Sequence, residues 1–472
     1  MRLSHAAATA TLVFDDPNLL PDGGLLPVLA LAEKINLTGL VEDHLHLGQV
    51  TNSAGANPGA KALTLIAGMI AGADSIEDMD RLRLGAMGRV FTGIRAPSTL
   101  GSFLRSFTHG HTKQLHAAHK QVLTALAAGA DLLPGADQIA FVDVDSMHRQ
   151  VYGYTKQGAV NGRLKGQKTL HPLISTISTP LSRPVVAGIR MRKGTAADVR
   201  GAVSFVAETL TTAKNIGCTG ALVLRGDAKF YTADIVATAD RHGAYVSLTT
   251  GSNPSITAAI AAIGNDKWTP IHYPDAFVDE DTGELISDAE VAEMPYTAFA
   301  NKPKRLQREG RLLVRRVKRL TPPTHDGQLT LFDTYRYHAV FTTSPYPMLQ
   351  AETHHRQHAI HEQVNADAKS AALAHLPSAS FQANAAWATL WAIAHNLTHT
   401  IGVLAGGFHA RATTATIRAH LIAVPTRIAT SARRLTAHLP RDWPWQDEAA
   451  RVLWRQGYPA CSGVRGLMSR SL

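Results

Sequence analysis

Residues 139–146 read Ile-Ala-Phe-Val-Asp-Val-Asp-Ser, and how that run is placed decides the fold. Ile139 through Val144 is β-branched and aromatic, which predicts a strand. Successive strand side chains alternate in direction, so Asp143 and Asp145 face the same way. Two carboxylates on a core strand are costly to bury without a cation or hydrogen-bond donors nearby. Read alone, the pair is equally well explained as solvated strand-end residues or as caps for the following turn.

Upstream of this strand, residues 25 to 130 carry apolar positions at spacings of three and four, the helical period. Pro97 and Ser98 interrupt the pattern, and Ser98 is expected to cap the helix of TLGSFLRSFT. LLPGADQ, at 132–138, reads as a linker. Downstream, strands are expected at 139–145, 149–154, 168–177 and 185–191, with KQGAVNGRLKGQK as a basic glycine-rich loop or hairpin. A helix from about Ala196 to Ile216 follows, then a strand over Ala221–Leu224, Asp227, and a helix begun near Thr232. The carboxyl end of such a strand is where functional groups collect in open α/β sheets, although an Asp there also commonly caps the next helix. Residues 252 to 331 read as a β-rich insertion with acidic turns in DAFVDEDTGEL, the basic strand RLLVRRVKRL and Pro322-Pro323. A strand at 335–343, a helix over AETHHRQHAIHEQVNADAKSAALAHL and an apolar core helix over ANAAWATLWAIAHNLTHTIGVLAG come next. The residues from 409 onward form a basic segment.

Composition narrows the class. The 472 residues are 45% hydrophobic and 18% charged, as in a soluble globular protein of two to four domains. No apolar run is long enough to predict a membrane span, and the first residues do not read as a secretion signal. Cys218 and Cys461 cannot form a disulfide framework or a cysteine-based zinc site, so a reducing cytoplasm is the expected compartment. The formal net charge of +10 points to a polyanionic partner. It is concentrated in two places: residues 302–319, with nine Lys or Arg against one Glu, and the arginine-rich end. Phosphate contacts explain that concentration better than solubility does, and Arg315 and Arg316 are candidates to make them.

Three carboxylates stand out from order and spacing: Asp145 on a strand, Asp227 after a later strand, and Glu362 on a late helix. Lys369 lies seven residues after Glu362 and shares its helical face, as do His358 and His355 before it. Such an acidic triad suits two magnesium ions, which prefer hard oxygen ligands and keep positions open for water and phosphate. A different site, a histidine-bound metal on His354, His355, His358 and His361, lacks any completed zinc motif.

Three blocks carry a resemblance over nearly the whole chain: FVDVDSMHRQVYGYTKQGAVNGRLKGQKTLHPLIST, LVLRGDAKFYT, and HHRQHAIHEQVNADAKSAALAHLPSASFQANAAWATLWAIAHNL. Together they resemble the DDE-type transposases of bacterial insertion sequences, transposase DDE domain group 1. The resemblance implies an α/β fold: a ribonuclease-H-like catalytic core with a β-rich insertion, preceded by a helical N-terminal domain. The implied division is a DNA-binding domain at 1–135, core at 136–251, insertion at 252–331, core with the Glu-bearing helix at 332–408, and a basic segment at 409–472. It implies catalytic and metal-binding roles for Asp145, Asp227 and Glu362, with Asp143 as the fallback for the first acid. Asp145 is preferred because Ser146 follows it, as the family's Ser or Thr pair does, although Met147 departs from the second. The family's Tyr-Arg-Glu-Lys helix signature is met at Glu362 and Lys369 and departed from at His355 and His358. By that signature His355, His358 and Lys369 would hold the terminal DNA phosphate, yet His cannot supply Arg's permanent bidentate fork.

The implied activity uses two Mg²⁺ ions, with Mn²⁺ able to substitute, to cut double-stranded DNA at terminal inverted repeats. The freed 3′-hydroxyl ends then join to target DNA. A homodimer on DNA and a nucleoid-associated bacterial cytoplasmic location go with it. The rivals are a resolvase-like nuclease that cuts without joining, and a decayed or domesticated transposase that binds DNA only.

Overall fold

The computed structural model describes residues 11–48, 53–153, 155–161, 166–278, 285–318, 335–432 and 434–457. Among the described residues, the helices before the first long strand include α1 (Leu25–Lys34), α2 (Leu37–His44), α3 (Pro58–Ala71), α4 (Pro97–Arg105) and α5 (His109–Gly129), with a single turn at Met87–Val90. In α4 the proline takes the first helical position, where its missing N–H costs nothing, and Ala96 occupies the cap. The expected cap at Ser98 is therefore not formed; Ser98 lies inside the helix.

The organising sheet has nine strands: β1 (Ile139–Ser146), β2 (Leu173–Ser178), β3 (Val185–Arg190), β4 (Ala221–Gly226), β5 (Tyr245–Thr249), β6 (Thr269–Val278), β7 (Leu285–Ala298), β8 (Arg308–Lys318) and β9 (Tyr335–Thr342). Their spatial order is β6-β7-β8-β9-β5-β4-β1-β2-β3. β1, β4 and β5 are parallel and central, while β2 runs antiparallel beside β1 and β3, antiparallel to β2, runs in the β1 direction at the edge. α6 (Ala202–Asn215) and α7 (Ala233–Arg241) make the crossovers, so the central strands are covered and read as nearly continuous apolar runs. α6 starts later than the periodicity predicts, because the preceding residues form an irregular loop.

The β-rich segment adds its strands to the same sheet through the β5–β9 pair. A short helix, α8 (Pro254–Ala261), shields it, with a small core of Ile256, Leu312, Val314 and Ala339. Of the expected strand at 149–154 only Arg149–Gln150 forms, in a small sheet with Lys168–Leu170 and Val160–Asn161. Residues 162–165 of the basic loop, 279–284 of the acidic turns, Pro322-Pro323 and Cys461 lie outside the described residues.

The expected long helix after β9 is broken. It runs as α9 (Met348–Arg356), a tighter turn at Gln357–Ala359, and α10 (Ile360–Lys369). α11 (Phe381–Ala405) is the mainstay: Ser380 caps it, it is buried nearly all round, and it packs against α3, α5 and β3. The basic end folds back as a hairpin, β10 (Thr426–Ser431) with β11 (Arg434–His438), and a helix, α12 (Gln446–Arg455). β10 pairs with Leu19–Leu20, and α12 packs on α11. One hydrophobic cluster consequently extends from Leu20 to Val452 through both the N-terminal helices and the sheet.

Candidate active site

Strand register brings the first two acids together. β1 and β4 are parallel neighbours with Asp143 opposite Arg225. Two residues further on, Asp145 and Asp227 emerge side by side at the carboxyl ends of the two strands, both half-buried. Asp145 Oδ1 accepts the Ser146 N–H at 2.6 Å, and its Oδ2 accepts the Asn365 amide at 3.1 Å. Asp227 Oδ1 accepts the Lys229 N–H at 2.9 Å, capping a short turn, while Thr232 caps α7. Burial, reinforced by the charges of Asp145 and Asp198, raises the Asp227 carboxyl above its ordinary range.

Asp198 is the acid that sequence reasoning missed. It sits in the loop before α6, where a lone Asp reads as an ordinary cap. Its Oδ1 accepts the Ser146 hydroxyl at 2.8 Å, with His171 Nε2 at 3.2 Å and Lys229 Nζ at 3.7 Å. The loop is held from beneath by buried Arg192, which donates to the carbonyls of His171, Ala197, Asp198 and Arg200.

Asp143 has a different occupation. It is wholly buried, and Arg225 grips both its oxygens at 2.7 Å. His358 Nδ1 donates to the same carboxylate at 2.8 Å, and the guanidinium lies 3.9 Å from the centre of the Phe141 ring. Burial alone would raise the Asp143 pKa, but Arg225 and His358 overcome it and hold the group far below the usual carboxylate range.

The four clustered histidines go to separate partners. His354 packs edge-on against Phe141 and Tyr346. His355 turns inward, its two ring nitrogens bonded to Ser247 Oγ at 2.9 Å and Thr249 Oγ1 at 3.1 Å, and burial lowers its pKa to about 3. His361 meets Thr176 Oγ1 at 2.9 Å, and burial lowers it to about 4 against the pull of Asp145. His355 is thus a neutral ring bonded to the sheet, not a cation facing a phosphate.

Glu362 lies exposed on the first turn of α10, one turn before Asn365, and Lys369 is exposed at its last turn. Arg315 and Arg316 alternate across β8. Arg315 lies 4.0 Å from Glu352, and Arg316 bonds Glu290 at 2.6 Å between the Trp268 and Tyr335 rings. Their side chains are only 17% and 12% exposed, so the two candidate phosphate binders are mostly enclosed.

Among the described residues, no three His, Cys, Asp or Glu side chains form a ready-made metal cage. The donor chemistry nevertheless fits a hard divalent cation. Asp145 is near enough to Asp227 to raise its carboxyl, and buried Asn365 Oδ1 has no hydrogen-bond partner beside Asp145. Mg²⁺ characteristically binds through one or two carboxylates and keeps its remaining positions for water and phosphate.

The chain matches the family described as transposase DDE domain group 1 over residues 6–456. No curated protein matches it. Among solved structures it is similar to a piggyBac transposase synaptic complex with hairpin DNA, determined by cryo-EM. That match has 9% identity and a TM-score of 0.43, and covers 83% of this chain and 78% of the other.

Proposed function

The chain belongs to the transposase DDE domain group 1 family, and from that premise we propose that it cuts DNA at the terminal inverted repeats of an insertion sequence and joins the freed 3′-hydroxyls to target DNA. The observation that carries the reading is the placement of Asp145 and Asp227, each two residues beyond the paired Asp143 and Arg225, at the carboxyl ends of adjacent parallel strands. The order β3-β2-β1-β4-β5, with only β2 antiparallel to its neighbours, supports a ribonuclease-H-like core.

Transposases of this family generally use divalent metals, and here Asp145, Asp227 and Glu362 would hold Mg²⁺ or Mn²⁺. Bound there, the metal supplies charge stabilisation at the attacked phosphate and a more acidic water. In this reading Asp145 and Asp227 would present the metal to the scissile phosphate at the strand ends, and Glu362 would complete the ligand set from α10. Hydrolysis breaks the P–O3′ bond at the element end. In the joining step the new 3′-oxygen attacks a target phosphate and expels the target's own 3′-oxygen, so one phosphodiester replaces another. Two element ends handled together call for a homodimer on DNA.

For backbone contacts, Lys369 remains available at the exposed end of α10. Arg315 and Arg316 would first have to leave Glu352, Glu290 and the Trp268–Tyr335 sandwich. Within the same basic stretch, Lys302, Lys304 and Arg305 are exposed in the turn between β7 and β8. Phe299, at φ 59°, stacks on Tyr231 at 4.8 Å and fastens that turn beside the segment following Asp227. A bulky residue in the left-handed region is costly, which supports a turn whose position matters.

The deciding experiment uses purified protein and a labelled duplex bearing the element's terminal sequence, with Mg²⁺ or Mn²⁺ against EDTA. Metal-dependent nicking at the repeat boundary is expected, and its loss in Glu362→Ala. A second reading, a decayed transposase that only binds DNA, is favoured by the inward engagement of His355 and His358. Specific binding without cutting would select it, and restoration of cutting by His355→Tyr with His358→Arg would identify the lesion.

A further inference from the structure

We propose that Asp198 is a positioning residue for the two strand-end carboxylates, an inference that rests on the reading of Asp145 and Asp227 as metal-holding acids. Its carboxylate is half-hidden, with 12% of the side chain exposed, and reaches towards both strand ends at once. On the β1 side it accepts the hydroxyl of Ser146, whose own N–H donates to Asp145 Oδ1. On the β4 side it lies 3.7 Å from Lys229 Nζ, which is also 3.8 Å from Asp227 Oδ2. One side chain therefore links the residue that aims Asp145 to the residue that flanks Asp227.

The loop carrying it is built for that purpose. Arg192 is 6% exposed and donates to the carbonyls of Ala197, Asp198 and Arg200, and buried His171 Nδ1–H donates to Ala196 O. Residues 196–200 are thereby fixed against β3 and the small sheet beside it. The clamp fixes the backbone from which the Asp198 side chain projects towards Ser146 and Lys229. Without Asp198, the Ser146 hydroxyl loses its acceptor and Lys229 keeps only its contact with Asp227, so the link between the two strand ends is gone. Groups that hydrogen-bond the surroundings of a metal ligand characteristically change affinity or activity about 10–100-fold when removed.

The test compares wild type with Asp198→Ala, Asp198→Asn, Ser146→Ala and the Ser146→Ala/Asp198→Ala double variant, all in the full chain. Four quantities are read: Mn²⁺ affinity by calorimetry without DNA, kcat and KM for nicking, DNA affinity in EDTA, and melting temperature. Asp198→Ala is expected to weaken Mn²⁺ binding about 10–100-fold and to lower kcat with KM and DNA affinity unchanged. Asp198→Asn keeps an oxygen for the Ser146 hydroxyl and should recover most of that loss. The double variant should be no worse than Asp198→Ala, because the two share one interaction. Wild-type Mn²⁺ affinity in Asp198→Ala would overturn the proposal. So would full additivity with Ser146→Ala, an Asn variant no better than Ala, or a uniform fall of every quantity with melting temperature. If wild type itself bound no Mn²⁺ and cut no DNA, the underlying reading would fall instead, and this proposal with it.

Discussion

Asp143 and Asp145 lie two residues apart on one face of one strand, yet they sit in opposite electrostatic surroundings. Inside the sheet, Asp143 is enclosed by Arg225 and His358, and its charge is matched. At the strand end, Asp145 has no ion pair like that of Asp143 and lies close enough to Asp227 for its charge, with that of Asp198, to raise the Asp227 carboxyl. The difference follows from depth along the strand. A buried acid is tolerated when a cation and donors saturate it, and it then serves the fold; an acid left among like charges waits for a cation from outside.

Removing each acid in turn should separate the two surroundings by the largest effect. Asp143→Ala strands Arg225 as an uncompensated buried charge and should cost about 3–5 kcal/mol in denaturant unfolding. Asp145→Ala should leave stability within about 0.5 kcal/mol while abolishing metal-dependent nicking. Equal stability losses would mean that both acids are structural.

Acid titration separates the two regions next. The Asp143 pKa is depressed in the fold, so its stabilisation is full above the unfolded carboxylate value, about 3.9, and is lost as pH falls below it. Asp227 is raised, so in metal-free protein its native form takes up a proton first, and stability falls as pH rises from about 3.9 through its folded value. Asp143→Asn should flatten the first slope, and Asp227→Asn should remove the second and raise metal-free stability near neutral pH. Melting curves between about pH 3 and 7 check both. His355 adds a third contribution. With its folded pKa near 3, the unfolded chain binds its proton more readily, so stability declines as pH falls from about 6.5 towards 3. His355→Gln should remove that share.

The smallest expected effects concern the basic stretch, which divides in the same manner into enclosed and exposed charges. Replacing Lys302, Lys304 and Arg305 with Ala should reduce the slope of log affinity against log salt by about one for each phosphate those side chains neutralise. Replacing Arg315 and Arg316 should reduce it less, because their guanidinium groups already have carboxylate and aromatic partners. The reverse ranking in DNA-binding titrations would restore the strand arginines as the groups that hold the DNA backbone.

Much of this was legible beforehand because it depends on local pattern. Apolar runs bounded by turn residues marked β1, β4 and the crossover helices, and period two put Asp143 and Asp145 on one face. The helix break at Gln357–Ala359 was not legible: the histidine-rich sequence around it holds no Gly or Pro, and the break accompanies the seating of His355 on β5 and His358 on Asp143. Nor was Asp198, whose neighbours in sequence give no sign that it will stand between two strand ends.

By itself, then, the order of residues determined the mixed α/β architecture and the family, since hydrophobic period and block spacing are local and additive. Tertiary structure alone decided which acid is neutralised and which is exposed, which cations are enclosed, and which loop reaches the strand ends. Those are questions of distance between residues far apart in the chain: Asp143 and Arg225, separated by 82 positions, meet at 2.7 Å because β1 and β4 pair in parallel. Charge interactions depend on separation and burial, and both come into existence only when the sheet has closed.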